Sequence, residues 1–235
     1  MADTIVAEKK MEPEIQGVSI VALGSFNPAI FQPLWFSRNN LIRDEEAEHA
    51  NDKLEIIHRE VSMFATEWFS LQVTTDRFVV ENSDPTKNDA LRDLAMGTFR
   101  ILEHTPIGAF GFNRNQHFRM SEQDEWNTFG DYYAPKDPWS DILTNPRMRT
   151  LMVQGKREGC DADRMQIRIE PSGKLHPGVF VHVNQHYQVD REEDRSAEDR
   201  IDFLLKALHD SWSGFLSYCD VATQHLLSQY DKQTE

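Results

Sequence analysis

The sequence predicts an α+β domain of about eight mostly antiparallel strands in two pseudo-repeated units, each running strand, covering segment, three strands, helix, with the long helices on one face of the sheet. Three observations predict it. First, Ile201, Leu204, Leu205, Leu208, Trp212, Phe215, Cys219 and Ala222 recur at intervals of three and four, which lays one apolar stripe along a helix over 196–227. Second, residues 179–187 read Val-Phe-Val-His-Val-Asn-Gln-His-Tyr, a strand by its alternation of β-branched and polar side chains. Third, the order of elements up to Pro106 returns after it. The domain plan is then a loose leader at 1–16, a single domain over 17–228 in two halves (17–106 and 107–228), and a tail at 229–235.

Each element has a local reason. The near-continuous apolar run at 18–23 suits a central strand buried on both faces, and Gly24-Ser25-Phe26-Asn27-Pro28 ends it in a turn. Pro33 breaks the apolar stretch 28–40, leaving only a short covering helix. Strands are expected at 54–64, 68–74 and 77–82, the last two joined as a hairpin through Thr75-Asp76. Asp84 then caps a helix with Pro85 at its first position, and Leu91, Leu94, Ala95, Phe99 and Leu102 form its stripe. In the second unit the strand is 107–120, the covering segment 121–145, and the three strands 148–156, 165–170 and 179–187.

Composition narrows the function classes. A chain of 235 residues, 39% hydrophobic and 10% aromatic, buries a sizeable core. Its two cysteines, Cys160 and Cys219, form neither a disulfide framework nor a metal-ligand spacing, which fits reduced thiols in the cytoplasm. No run approaches the ~18 apolar residues of a membrane span, and residues 1–10 lack the order of a secretory signal. A formal charge of −14 opposes encounter with nucleic acid or an anionic membrane. The acid-rich stretches 43–52 and 190–202 read as solvated helix-end charge. Phosphate-cradling glycine loops, Gly-x-Ser-x-Gly, His-Glu-x-x-His and Cys-x-x-Cys are all absent.

The segment 69–113, with its apolar strand, polar turn, second strand, capped helix and then a strand carrying Gly111-Phe112-Asn113, resembles a family of uncharacterised, sporadically distributed bacterial proteins. That resemblance implies a bacterial protein and lends no functional residues, because the family has no assigned activity. The two-unit plan is also similar to the saddle of the TATA-binding protein family, a likeness of fold from which the acidic charge departs.

Three groups of residues carry candidate chemistry. His182 and His186 share a strand face with Phe180 and Asn184, but ~13 Å of straight strand separates them, too far for one metal ion. Either would need His117 or a carboxylate from a neighbouring strand. The polar run Asn113-Arg114-Asn115-Gln116-His117 reads as a strand lining a cleft or, more simply, as a sheet edge leaving the core. Arg147, Arg149, Arg164 and Arg168 belong to a locally basic stretch whose guanidinium forks suit phosphate or carboxylate. Trp35, Phe36, Trp126, Tyr132, Tyr133 and Trp139 lie outside the helix stripes and offer anchors for a partner.

The reading that follows is a non-catalytic cytoplasmic accessory protein that docks to a partner protein or to a second copy of itself, in a bacterial multi-component system, with no cofactor, no metal and no membrane. Two alternatives stand beside it. One is a metal-assisted hydrolase or nuclease using His117, His182 or His186; the other is a module for an anionic ligand or nucleic acid at Arg147, Arg149, Arg164 and Arg168.

Overall fold

The computed structural model describes residues 11–52, 56–189 and 196–230. The strands are β1 (Ile15–Gly24), β2 (Ile56–Ile57), β3 (Val61–Ala65), β4 (Ser70–Thr74), β5 (Arg77–Asn82), β6 (Ile107–Arg119), β7 (Leu151–Gly155), β8 (Arg164–Pro171) and β9 (Gly178–Gln188). The helices are α1 (Pro33–Arg38), α2 (Asp44–Asp52), α3 (Asn88–Ile101), α4 (Gln123–Tyr133) and α5 (Ala197–Gln229). All nine strands described form one sheet in the order β2-β3-β4-β5-β1-β6-β9-β8-β7, antiparallel at every pairing. No helix among the described residues is long and apolar enough to cross a membrane.

The helices lie on one face. α5 packs over β6 and β9, and α3 over β5 and β1, with α3 also touching α5. The apolar stripe explains why: Ile201, Leu204, Leu208, Trp212, Phe215 and Cys219 are all buried, and Trp212 meets Phe112 edge-on at 5.5 Å. Ser196 caps α5, its hydroxyl accepting from Asp199 N while the Asp199 carboxylate reaches back to Ser196 N. Farther along the same face, α2 and the segment before α1 cover β3: Ser62 donates to Phe31 O at 2.5 Å, and Trp68 Nε1 donates to Glu46 Oε1 at 2.8 Å. α4 closes the end of the same layer, where Trp126 Nε1 donates to Gly178 O and the Tyr133 hydroxyl to Leu226 O.

The differences from the expected elements have physical causes. There are nine strands rather than about eight, because His58-Arg59-Glu60 makes a polar turn, His58 N donating to Val61 O at 2.8 Å, that splits the stretch 54–64 into β2 and β3. β6 is central and is no sheet edge. Its Arg114 and Gln116 turn to the helix side, where α5 answers them with Asp220 and Thr223. β1 is also central, but only Val18, Ile20 and Ala22 face the core; Leu23 on its other face is 43% exposed. Residues 1–10 of the expected leader and 231–235 of the expected tail lie outside the described residues, as does 190–195 of the second acid-rich stretch. β1 itself opens at Ile15, and Met11 is held to α5, its N–H donating to Gln224 Oε1 at 3.1 Å.

Candidate functional site

Because side chains alternate along a strand, the residues between the core-facing ones all rise on the sheet's second face, which no helix among the described residues covers. Strand register aligns them in rows. One row crosses eight strands: Ala65, Ser70, Glu81, Ser19, Asn113, Asn184, Gln166 and Gln154. Seven of the eight are polar, and they hold one another. Asn184 Nδ2 donates to Asn113 Oδ1 at 2.8 Å, Asn113 Nδ2 to Ser19 Oγ at 3.1 Å, and Gln166 Nε2 to Gln154 Oε1 at 3.0 Å. Ser19 and Asn113 are buried, and these contacts contribute to it. Such a row presents fixed donors and acceptors whose ordering cost was met on folding.

Two hollows flank the row. One, of 330 Å³, is lined by Gly17, Glu81, Asn115, His117 and Lys174; the other, of 360 Å³, by Arg77, Gly111, Asn113, Arg164 and His186. At Gly111 a β-carbon would stand 2.9 Å from Gln185 O and 3.1 Å from Asn184 Nδ2. Glycine there is what lets the Asn184 amide lie across to Asn113.

All three expected histidines are on this face. His117 stacks on Phe180 with centroids 4.6 Å apart, and its Nδ1 lies 2.9 Å from Ser172 Oγ. That pair has the look of a base and a nucleophile, yet Ser172 Oγ already accepts from Lys174 N at 3.1 Å and Leu175 N at 2.9 Å. With both lone pairs engaged, its proton points to His117 and the hydroxyl serves a turn rather than attack. Burial, helped by Lys174, holds the His117 pKa below the ordinary value. His182 Nδ1 lies 2.8 Å from Asn115 Oδ1, which accepts, so the ring proton sits on Nδ1. His186 is four positions along β9 with Asn184 between them, and its Nε2 faces Gln188 Oε1 at 3.2 Å. Among the described residues no group of three His, Cys, Asp or Glu side chains is placed to hold a metal ion.

Burial pushes the His182 pKa down to about 4, with Arg168 acting in the same direction and Glu170 against it. The sign follows: an unfolded imidazole takes its proton near pH 6.5 while the folded one refuses it until about 4, so stability is complete above 6.5 and is lost as pH falls between those values. At one pKa unit per ~1.4 kcal/mol, the full loss is on the order of 3–4 kcal/mol, most of it reached by pH 4.5. Urea unfolding at pH 7.5 and 4.5 should therefore show a smaller acid loss for His182→Gln than for the parent chain, and equal losses would remove the effect.

The arginines divide. Arg164 and Arg168 both rise on the open face, opposite His186 and His182. Arg168 lies over the Phe180 ring at 5.7 Å and meets Glu170 at 3.4 Å. Arg147 and Arg149 precede β7 and sit on no strand; Arg147 lines a narrow crevice with Trp126 and Met148. The four are not one cluster. Of the aromatic residues expected at a partner surface, Phe36 is wholly buried, Trp126 and Tyr133 are tied into the helix layer, and Trp139 is 49% exposed.

Sequence reasoning put Asn113, Asn115 and His117 together and Asn184 with the histidines, and offered His117 as a partner for His182 or His186 without showing which strands pair. Ser19 and Gln154 were missed. The available signal was a single serine in the apolar run 18–23. No protein-family model matches the chain, and no curated protein does.

Proposed function

We propose that this chain is a non-catalytic docking module of the bacterial cytoplasm, an accessory protein that presents the open face of its sheet to a protein partner. The observation that carries the reading is the pre-ordered polar row on a face that no helix among the described residues covers: fixed amides with partnered groups make a specific, water-tolerant contact surface. The chemistry around it favours binding over turnover, since the Ser172 hydroxyl beside His117 has its lone pairs engaged and His182 stays neutral at physiological pH. A two-unit origin, 17–106 and 107–228, is part of the proposal. It is supported by a strand order in which β1 carries β5, β4 and β3 on one side and β6 carries β9, β8 and β7 on the other.

A second reading, an anionic ligand on the same face, is favoured by Arg164 and Arg168 rising there along β8, on either side of Gln166 and opposite His186 and His182. One double variant, Arg164→Ala with Arg168→Ala, addresses both. Both side chains point away from the core, so the fold is retained. The parent chain, used as bait in extract of the native host, should keep a stoichiometric protein that the double variant loses; the same protein kept equally by both would sink the docking reading. Titration with nucleotides and short single-stranded oligonucleotides at low salt decides the second. Binding that falls steeply with salt and by more than tenfold in the variant supports it, because each shielded charge-assisted contact contributes about 1.5–3 kcal/mol.

A further inference from the structure

The sheet has two edges, and they are not alike. β2 is two residues long, whereas β7 is five, Leu-Met-Val-Gln-Gly, with no charge, proline or bulge. Natural edges are usually protected by such features. β7 pairs with β8 on one side, and among the described residues none of its backbone groups pairs on the other. The helix layer does not shield it: α5 lies over β6 and β9, leaving Val153 59% exposed on the helix side and Met152 54% exposed on the open side. The flanks add charge. From Pro146 to Arg157 the chain carries Arg147, Arg149, Lys156 and Arg157 and no carboxylate, within a protein of net charge −14.

These features decide the occupant. Antiparallel self-pairing centred on Val153 sets Arg149 opposite Arg157 and joins two chains of −14 each, so like charges oppose a second copy. A strand with carboxylates at its ends meets the opposite situation.

We propose that β7 is a strand-addition site, which takes an extended segment of a partner protein with β-branched residues at its centre and Asp or Glu at both ends. Backbone hydrogen bonds from the outer edge of β7 hold the segment, Met152 and Val153 each cover one of its faces, and the basic flanks fix its ends. The inference extends the docking reading to a second surface, the outer edge of β7, and does not use the polar row or Arg164 and Arg168.

The probe is a fluorescein-labelled peptide, Asp-Glu-Val-Thr-Val-Thr-Val-Asp-Glu, titrated against the full chain by anisotropy. It should bind, and four changes should each weaken binding at least tenfold: Lys in place of its acids, N-methylation of its central residues, Val153→Lys, and Arg149→Glu. A tenfold loss corresponds to ~1.4 kcal/mol. Both protein substitutions fall at exposed positions, and circular dichroism melting checks that each variant is folded. Arg164→Ala with Arg168→Ala should leave peptide binding unchanged, which separates failure here from failure of the open-face reading. No binding up to about 1 mM peptide, equal binding of the N-methylated peptide, or a parent chain that is already a dimer broken by Val153→Lys, overturns the proposal.

Discussion

Replacing Trp212 by alanine is expected to lower the unfolding free energy by about 3–5 kcal/mol, a large share of the ~5–15 kcal/mol of a typical domain. Trp212 is wholly buried in α5, edge-on to Phe112 and 6.3 Å from Phe215, at the point where the longest helix meets the central strand β6. Truncation leaves a cavity that rigid strands on one side and a helix on the other cannot close. The indole N–H contributes nothing to this, because it is buried without a hydrogen-bond partner among the described residues. Trp212→Phe removes that orphaned donor and keeps most of the ring, so its cost should stay within about 1.5 kcal/mol. Urea denaturation of the two variants separates packing from polarity. A Trp212→Phe loss as large as that of the alanine would mean that the N–H has a partner after all.

Gly24→Ala should cost about 3 kcal/mol, roughly 6–12 °C in melting temperature for a chain this long. A β-carbon at Gly24 would stand 2.3 Å from Pro106 O and 3.0 Å from Ile107 Cα, both backbone atoms. Neither can swing aside. Pro106 O accepts from Ser25 N at 2.9 Å, and Gly24 N donates to Asp76 O at 3.0 Å, so the glycine is clamped where the β1 to β6 register shifts. Gly130 in α4 is the control, with nothing within 4 Å of its would-be β-carbon. Alanine there should stabilise by about 0.5–1 kcal/mol through helix propensity. Calorimetry showing the two substitutions within about 1 kcal/mol of each other would refute the clamp.

What the sequence made legible depended on whether one local period carried the information. The stripe from Ile201 to Cys219 and the alternation from Val179 to Tyr187 each declare a buried face without help, and both elements stand where they were expected. Short polar interruptions were harder to read. His58-Arg59-Glu60 is three residues in a run otherwise plausible as one strand, and only the backbone bond from His58 to Val61 shows that it turns. The candidate site fared worse for a different reason. Ser19, Asn113, Asn184 and Gln154 come from four strands, and the row they form exists only once register is set across the whole sheet. A lone serine in an apolar strand looks like noise until its neighbour 94 positions away is known. Arg114 and Gln116 misled in the opposite sense. Their polarity suggested a strand leaving the core, whereas they turn to the helix side, where Asp220 and Thr223 of α5 meet them.

The ladder between β1 and β6 has a consequence for how the chain is made. It pairs Ile15 with His117 and runs ten partners to Gly24 with Ile107, so the middle of the sheet is its most non-local contact. During synthesis β5 emerges before β6 and docks on one side of β1, which leaves the other side of an apolar strand, with Ile20 and Ala22 on it, unpaired until residue 119 has cleared the ribosome. At about 5–20 residues per second that interval lasts seconds, long enough for a wrong strand to add. Loop closure over that span also makes the central pairing the slow step of refolding. The nascent chain is therefore expected to present an unpaired apolar strand edge that the finished sheet conceals.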